Sequence, residues 1–209
     1  MSSGTIPLFP LNVVVFPRVA LPLHIFEERY KEMTGNAIRD DSEFGIVLVK
    51  ENGISNAGCT VKVEKVTQMY EDGRMDILTR GRRRFEVMTL HEEHAWLEAD
   101  VSFFDDEDLA AVPEALRTET MERYQALRAI SSNEGRDEPD LADWQLSFQL
   151  AQVLPDLDLL NVLLRLRSEA ERLKELNRYL AEYVPRQGAI ERMRALAPTN
   201  GHGAKPSGL

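Results

Sequence analysis

Ile6-Pro-Leu-Phe-Pro-Leu-Asn-Val-Val-Val-Phe-Pro17, followed by Leu21-Pro-Leu-His-Ile-Phe-Glu-Glu-Arg-Tyr30, is the stretch around which the chain is organised. Pro7, Pro10, Pro17 and Pro22 alternate with Leu, Val and Phe. That pattern suits short strands whose ends or edges lack a ladder hydrogen bond and that cannot continue as helix. Val13 to Phe16 reads as one buried strand. The period then changes: Phe26, Tyr30, Met33 and Ala37 recur at helical spacing, and Glu27 precedes Lys31 by four residues, the favourable order for an ion pair along a helix. A strand is therefore expected to run straight into a helix, whose aromatic stripe must be buried on the sheet because neither element has a core of its own.

Further along, the first helix is expected to end near Asp40-Asp41, Phe44 to Lys50 reads as a buried strand, and Glu51-Asn-Gly53 as a turn. Apolar alternation from Cys59 to Tyr70 drifts by one residue near Val66, which predicts a long strand with a bulge. Asp72-Gly73 signals a hairpin, with Met75 to Thr79 as the returning strand. Gly81 is read as an interruption before two more strands, Phe85 to Leu90 and Ala95 to Phe104, around a His91-Glu-Glu-His94 turn. Short strands at this spacing predict a small, partly closed barrel with one early helix.

Asp105-Asp-Glu-Asp108 marks the expected boundary, and from Pro113 the period is helical. Leu116, Tyr124, Leu127 and Ile130 form one stripe. A second helix is expected from Asp137–Asp140, with Leu141, Trp144, Phe148 and Ala151 on one face, ending at Pro155. Asp156 caps a short helix through about Leu164. Ser168 and Glu171 form a capping box ahead of Leu173, Leu176, Leu180 and Tyr183, and Pro185 is expected to stop that helix before a short last one with Ile190, Met193 and Leu196. The reading is an α+β chain: barrel over residues 1–108, helical bundle over 113–196, and a disordered tail over 197–209.

The Ile6–Pro17 and Leu21–Tyr30 runs, with Phe44-Gly-Ile-Val-Leu-Val49 and Gly81-Arg-Arg-Arg-Phe85, resemble the N-terminal, substrate-recognition domain of Lon proteases, and most closely the small stand-alone proteins that carry it. The resemblance covers about residues 5 to 104 and implies a PUA-like pseudobarrel. Two departures stand in it: Arg18 where the family often has Gly, and Glu28 where it often has Pro.

At 209 residues, 43% hydrophobic and 29% charged, the chain has the composition of a globular protein. A net charge of -10 opposes a surface built to neutralise nucleic-acid phosphates. The single Cys59 forms no intramolecular disulfide, no Asn-x-Ser/Thr sequon occurs, and the start has neither the charged nor the continuous apolar region of a signal peptide. A cytoplasmic location with no membrane span is the expectation.

Chemistry is mostly excluded. No lysine is followed by Ser or Thr, so there is no P-loop and none of Lon's ATPase, and no counterpart of its peptidase domain is recognisable. The chain is accordingly read as a non-enzyme, with no cofactor and no metal. His91-Glu-Glu-His94 has its histidines three apart in a turn, not four apart on a helix, and reads as a solvated loop. His24 reads as a hydrogen-bonded packing residue and Cys59 as an inert buried thiol. Arg82, Arg83 and Arg84 are the nucleic-acid alternative, weighed against a charged strand edge that deters aggregation.

The resemblance implies a protein- or peptide-recognition module, an adaptor in proteolysis or quality control, with an RNA-binding PUA-like module as the alternative. Three surfaces can take a polypeptide: the one around Phe9, Pro10, Arg29 and Tyr30, where core packing competes for Phe9 and Tyr30; an unpaired barrel edge; and the cleft between barrel and helices. The sequence does not choose among them.

Overall fold

The computed structural model describes residues 3–108, 110–130 and 138–196. Six strands come first, with a helix after the second: β1 (Ser3–Leu11), β2 (Ala20–Ile25), α1 (Glu28–Arg39), β3 (Glu43–Lys50), β4 (Gly53–Met69), β5 (Met75–His91) and β6 (Leu97–Phe104). Four helices follow: α2 (Glu114–Ile130), α3 (Leu146–Ala151), α4 (Leu157–Arg165) and α5 (Glu169–Leu196). The sheet order is β2-β5-β4-β3-β1-β6, and β6 also pairs with β5, so β1, β3, β4, β5 and β6 close a ring. β2 lies outside it, antiparallel to β5 from Ala20↔Arg80 to Ile25↔Met75. The tail expected over 197–209 lies outside the described residues.

The prolines of the opening stretch fit β1 through its divided pairing. Ser3–Leu8 pair with β6 and Leu8–Leu11 pair with β3. Pro7 and Pro10 each lie where only one neighbour is bonded, so a missing N–H need not break a ladder. The strand expected at Val13–Phe16 is instead irregular chain. These residues cross from β1 to β2, and their apolar character serves packing: Val15 and Phe16 are buried, and Phe16 stacks on Phe148 of α3 with ring centroids 4.7 Å apart. The true second strand carries its signal in Leu21, Leu23 and Ile25, whose partners Thr79, Ile77 and Met75 lie opposite them.

Gly81 does not interrupt β5. It lies beneath the Phe16–Val19 turn, donating to the Val19 carbonyl at 2.9 Å and accepting from Arg18 N at 2.7 Å, and a Cβ there would overlap the Phe16 carbonyl. Arg18 in that turn has φ 67°, the left-handed region open to the Gly often found there. Its guanidinium donates to Asp143 at 2.8 Å and to Gln145 at 3.3 Å, tying the turn to the segment before α3. Glu28, the other departure, is the first residue of α1. Proline is favoured at that position and an acidic residue is stabilised there by the helix dipole, so either serves.

Buried side chains of barrel and helices form one apolar cluster running from Phe9, Tyr30 and Phe44 through Phe16 and Phe148 to Leu173, Leu176 and Leu180. A smaller cluster, Ile6, Leu8, Val47, Phe85, Ala99 and Val101, fills the barrel beside it. The helical half departs from expectation twice. Residues 141–145 are turns, so the second helix is confined to Leu146–Ala151 and leaves Leu141 and Trp144 exposed. Asp140 and Asp143 side chains accept from the N–H groups of Ala142 and Gln145, local bonds that compete with a helix there. Pro185 does not stop α5, which continues to Leu196. Packing against α2, where an added Cβ on Gly188 would meet Ile130, outweighs the lost backbone bond. Asp156 and Ser168 cap as expected, bonding Leu159 N at 3.0 Å and Glu171 N at 3.4 Å.

Candidate polypeptide-binding surface

Ladder alternation decides what β2 offers. Because Gly81 N bonds Val19 O, every second residue after Val19 bonds inward to β5, namely Leu21, Leu23 and Ile25. Ala20, Pro22 and His24 then turn their backbone groups to the outer edge, where Pro22 supplies a carbonyl and no donor. The open edge is therefore short and half blocked. The outer face of β2, β5 and β4 is more complete: Pro22 and His24 stand beside Asp76, Leu78 and Thr67 around a hollow of about 370 Å³.

Phe26 adjoins this face and is 59% exposed. Phe26 was expected on the buried stripe of α1, but it precedes the helix, and only Tyr30, Met33, Thr34 and Ala37 are buried on it. Its ring stacks on His24 at 5.9 Å, and Tyr70 meets His24 edge-on at 5.9 Å. His24 Nδ1 lies 2.5 Å from Asp76 Oδ1, and the Tyr70 hydroxyl donates to Asp76 Oδ2 at 2.8 Å. These bonds, that of His24 first, hold the Asp76 carboxyl below the usual carboxylate range, and the bond to Asp76 raises the Tyr70 phenol. His24 is hydrogen-bonded as expected, yet it belongs to the surface and not to the packing. Lys31 donates to the Asp72 carbonyl at 3.0 Å, tying the hairpin tip to α1. The result is an apolar and aromatic face with one fixed carboxylate. Its sequence signal was the Leu21-Pro-Leu-His-Ile25 alternation, hidden by the helical spacing that Phe26 shares with Tyr30.

The other candidate residues are placed as follows. Phe9 and Tyr30 stack at 3.9 Å and are buried, 7% and 6% exposed, and the exposed Arg29 lies over the Tyr30 ring at 4.6 Å. Pro10 is half buried. The four are neighbours, with two of them in the core. Of the arginine run, Arg82 is exposed, Arg83 lies over Phe103 at 3.8 Å and bonds Glu43, and Arg84 is 1% exposed. Arg84 does not belong to a charged strand edge. It donates to Asp106 at 2.6 Å and to the Leu166 carbonyl at 2.7 Å, and Asp106 also binds Arg172, which in turn pairs with Glu169. Burial pushes the Asp106 carboxyl up, but the bonds and charge of Arg172 and Arg84 leave it below its ordinary value.

The cleft between barrel and helices is a cavity of about 640 Å³, lined by Arg18, Arg80, Tyr124, Asp143 and Phe148 among others. Both of its guanidiniums are paired: Arg18 binds Asp143 within it, and Arg80 binds Glu64 at 2.5 Å. His91 and His94 pair separately with Asp100 and Glu98, and no group of ligands able to hold a metal occurs among the described residues. Burial pushes the Cys59 thiol up to about 12, as suits an inert side chain. Among the described residues no helix is long and apolar enough to cross a membrane.

A closed five-stranded ring with a sixth strand outside it, backed by helices, is a PUA-like fold. The model of the ATP-dependent protease La (LON) substrate-binding domain matches residues 5–185, and the chain belongs to that family. The match extends well past residue 104 into the helices. Solved structures similar to it include a Lon N-terminal domain protein from Xanthomonas campestris (TM-score 0.65, 24% identity, 83% of this chain and 96% of that one). The N-terminal domain of the Mycobacterium avium complex Lon protease is also similar (TM-score 0.62, 16% identity, 86% and 99%). The Lon protease of Parabacteroides distasonis is 31% identical over 113 residues, which are 50% of this chain and 14% of that protein. This chain thus spans a small part of the length of that relative.

Proposed function

We propose that the chain is a non-catalytic recognition module that binds exposed apolar segments of other polypeptides, acting in the cytoplasm as an adaptor in proteolysis or protein quality control. The binding surface is the outer face of β2, β5 and β4 with Phe26 and Tyr70. Membership of a substrate-binding family supports a polypeptide partner. The observation that carries the choice of surface is Phe26, a large apolar side chain more than half exposed whose ring stacks on His24 at the hollow. Side chains of this kind commonly act as interface anchors. The blocked edge at Pro22 favours recognition by side chains over addition of a strand. The arginine run gives the RNA-binding alternative little support, because Arg84 is buried and Arg83 is bound to Glu43.

The test is fluorescence anisotropy with a permanently unfolded polypeptide and with the folded form of the same polypeptide. The unfolded form is expected to bind and the folded form not to. Phe26→Ala should weaken binding by about tenfold or more, in the range of interface anchors. Equal binding by this variant would place recognition elsewhere on the molecule.

A further inference from the structure

The hollow beside Phe26 has a chemistry that an apolar segment alone does not use. Pro22 and Leu78 give it apolar walls, while Asp76 brings a carboxylate to it, oriented by His24 and Tyr70. Both oxygens are hydrogen-bonded, Oδ1 to His24 and Oδ2 to Tyr70, and the Asp76 side chain is still one-third exposed, at 34%. Two cations of the adjoining hairpin and helix are paired with other acids. Arg74 pairs with Asp72 at 2.7 Å and lies over Tyr70, and Lys31 pairs with Glu28 at 2.8 Å. A long aliphatic stem ending in a cation matches this arrangement: the stem covers apolar walls and the head meets a carboxylate.

Resting on the reading above, we propose that this hollow takes a lysine or arginine side chain of the bound segment, so that the module selects apolar segments that also carry a basic residue. The net charge of -10 acts in the same direction by disfavouring acidic segments. Asp76 is then a specificity residue, and the Phe26 anchor supplies affinity without regard to charge.

Three apolar peptides identical but for one position, occupied by lysine, acetyl-lysine or glutamate, test this by anisotropy with the whole chain. The lysine peptide is expected to bind about fivefold more tightly than the acetyl-lysine peptide, the scale of a partly exposed ion pair, and the glutamate peptide more weakly than either. The lysine preference should shrink at high salt. Asp76→Asn, checked for folding by circular dichroism, should abolish the preference and leave the acetyl-lysine peptide unaffected. Equal binding of lysine and acetyl-lysine peptides to the unaltered protein overturns the proposal, and does so without any variant. If both are then weakened by Phe26→Ala, the recognition surface itself stands. Loss of all three peptides equally in Asp76→Asn shows a structural role and also overturns it. Peptide binding that ignores Phe26→Ala defeats the surface reading and the proposal together.

Discussion

Asp106 joins the barrel to the helices through two buried guanidiniums, and it is the residue on which stability and pH meet. Removing its charge leaves Arg84 and Arg172 short of a counter-charge where both are almost fully buried. Asp106→Asn should cost about 3 kcal/mol, read as a shift of the urea midpoint. Because the folded carboxyl lies below its unfolded value, its contribution is present above about pH 4 and lost as pH falls through the folded value. Glu169 acts in the opposite sense. Burial raises its carboxyl against bonds from Ser147 and Arg172, so its contribution is present below the ordinary glutamate value and lost as pH rises through the folded one. Urea unfolding across pH should therefore show an acid-side loss that Asp106→Asn removes. Gly81→Ala tests packing alone: the added methyl meets the Phe16 carbonyl and should cost about 1–3 kcal/mol in the same measurement. Neither environment was legible beforehand. Arg84 has the same neighbours in sequence as an exposed strand arginine, and only Asp106, Leu166 and Arg172, brought in by the fold, make it a buried one.

At the scale of elements, what was legible followed local chemistry. Asp72-Gly73 made its hairpin, with Gly73 at φ 80°, and the caps at Asp156 and Ser168 began their helices. Elements decided by long-range pairing were misplaced. Val13–Phe16 have the composition of a strand, but the neighbours that would bond them are already taken by β1 and β2. The candidate surface was missed for the same reason, since β2 becomes an element only when β5 pairs with it. Two substitutions test elements directly. Pro22→Val returns a donor to the outer edge of β2 and should cause concentration-dependent self-association, visible by analytical ultracentrifugation. Pro185→Ala restores the backbone bond to the Ala181 carbonyl within α5 and should stabilise the chain, by at most about 3 kcal/mol, in thermal unfolding.

For the whole molecule, the division at residues 105–112 is a proposal about chain order and not about independent stability. The Phe16–Phe148 stack and the Arg84–Asp106–Arg172 bridge cross it. The full chain is expected to unfold in one transition that fluorescence and circular dichroism report alike, and two separated transitions would mark two units. The central claim concerns where such a body meets its partner. The most direct measurement is hydrogen–deuterium exchange of the whole chain with and without an unfolded polypeptide. The account expects new protection over residues 20–26 and 67–78, with the helices unchanged. Protection confined to α2 and α5, or to the cleft around Arg18 and Phe148, would contradict it.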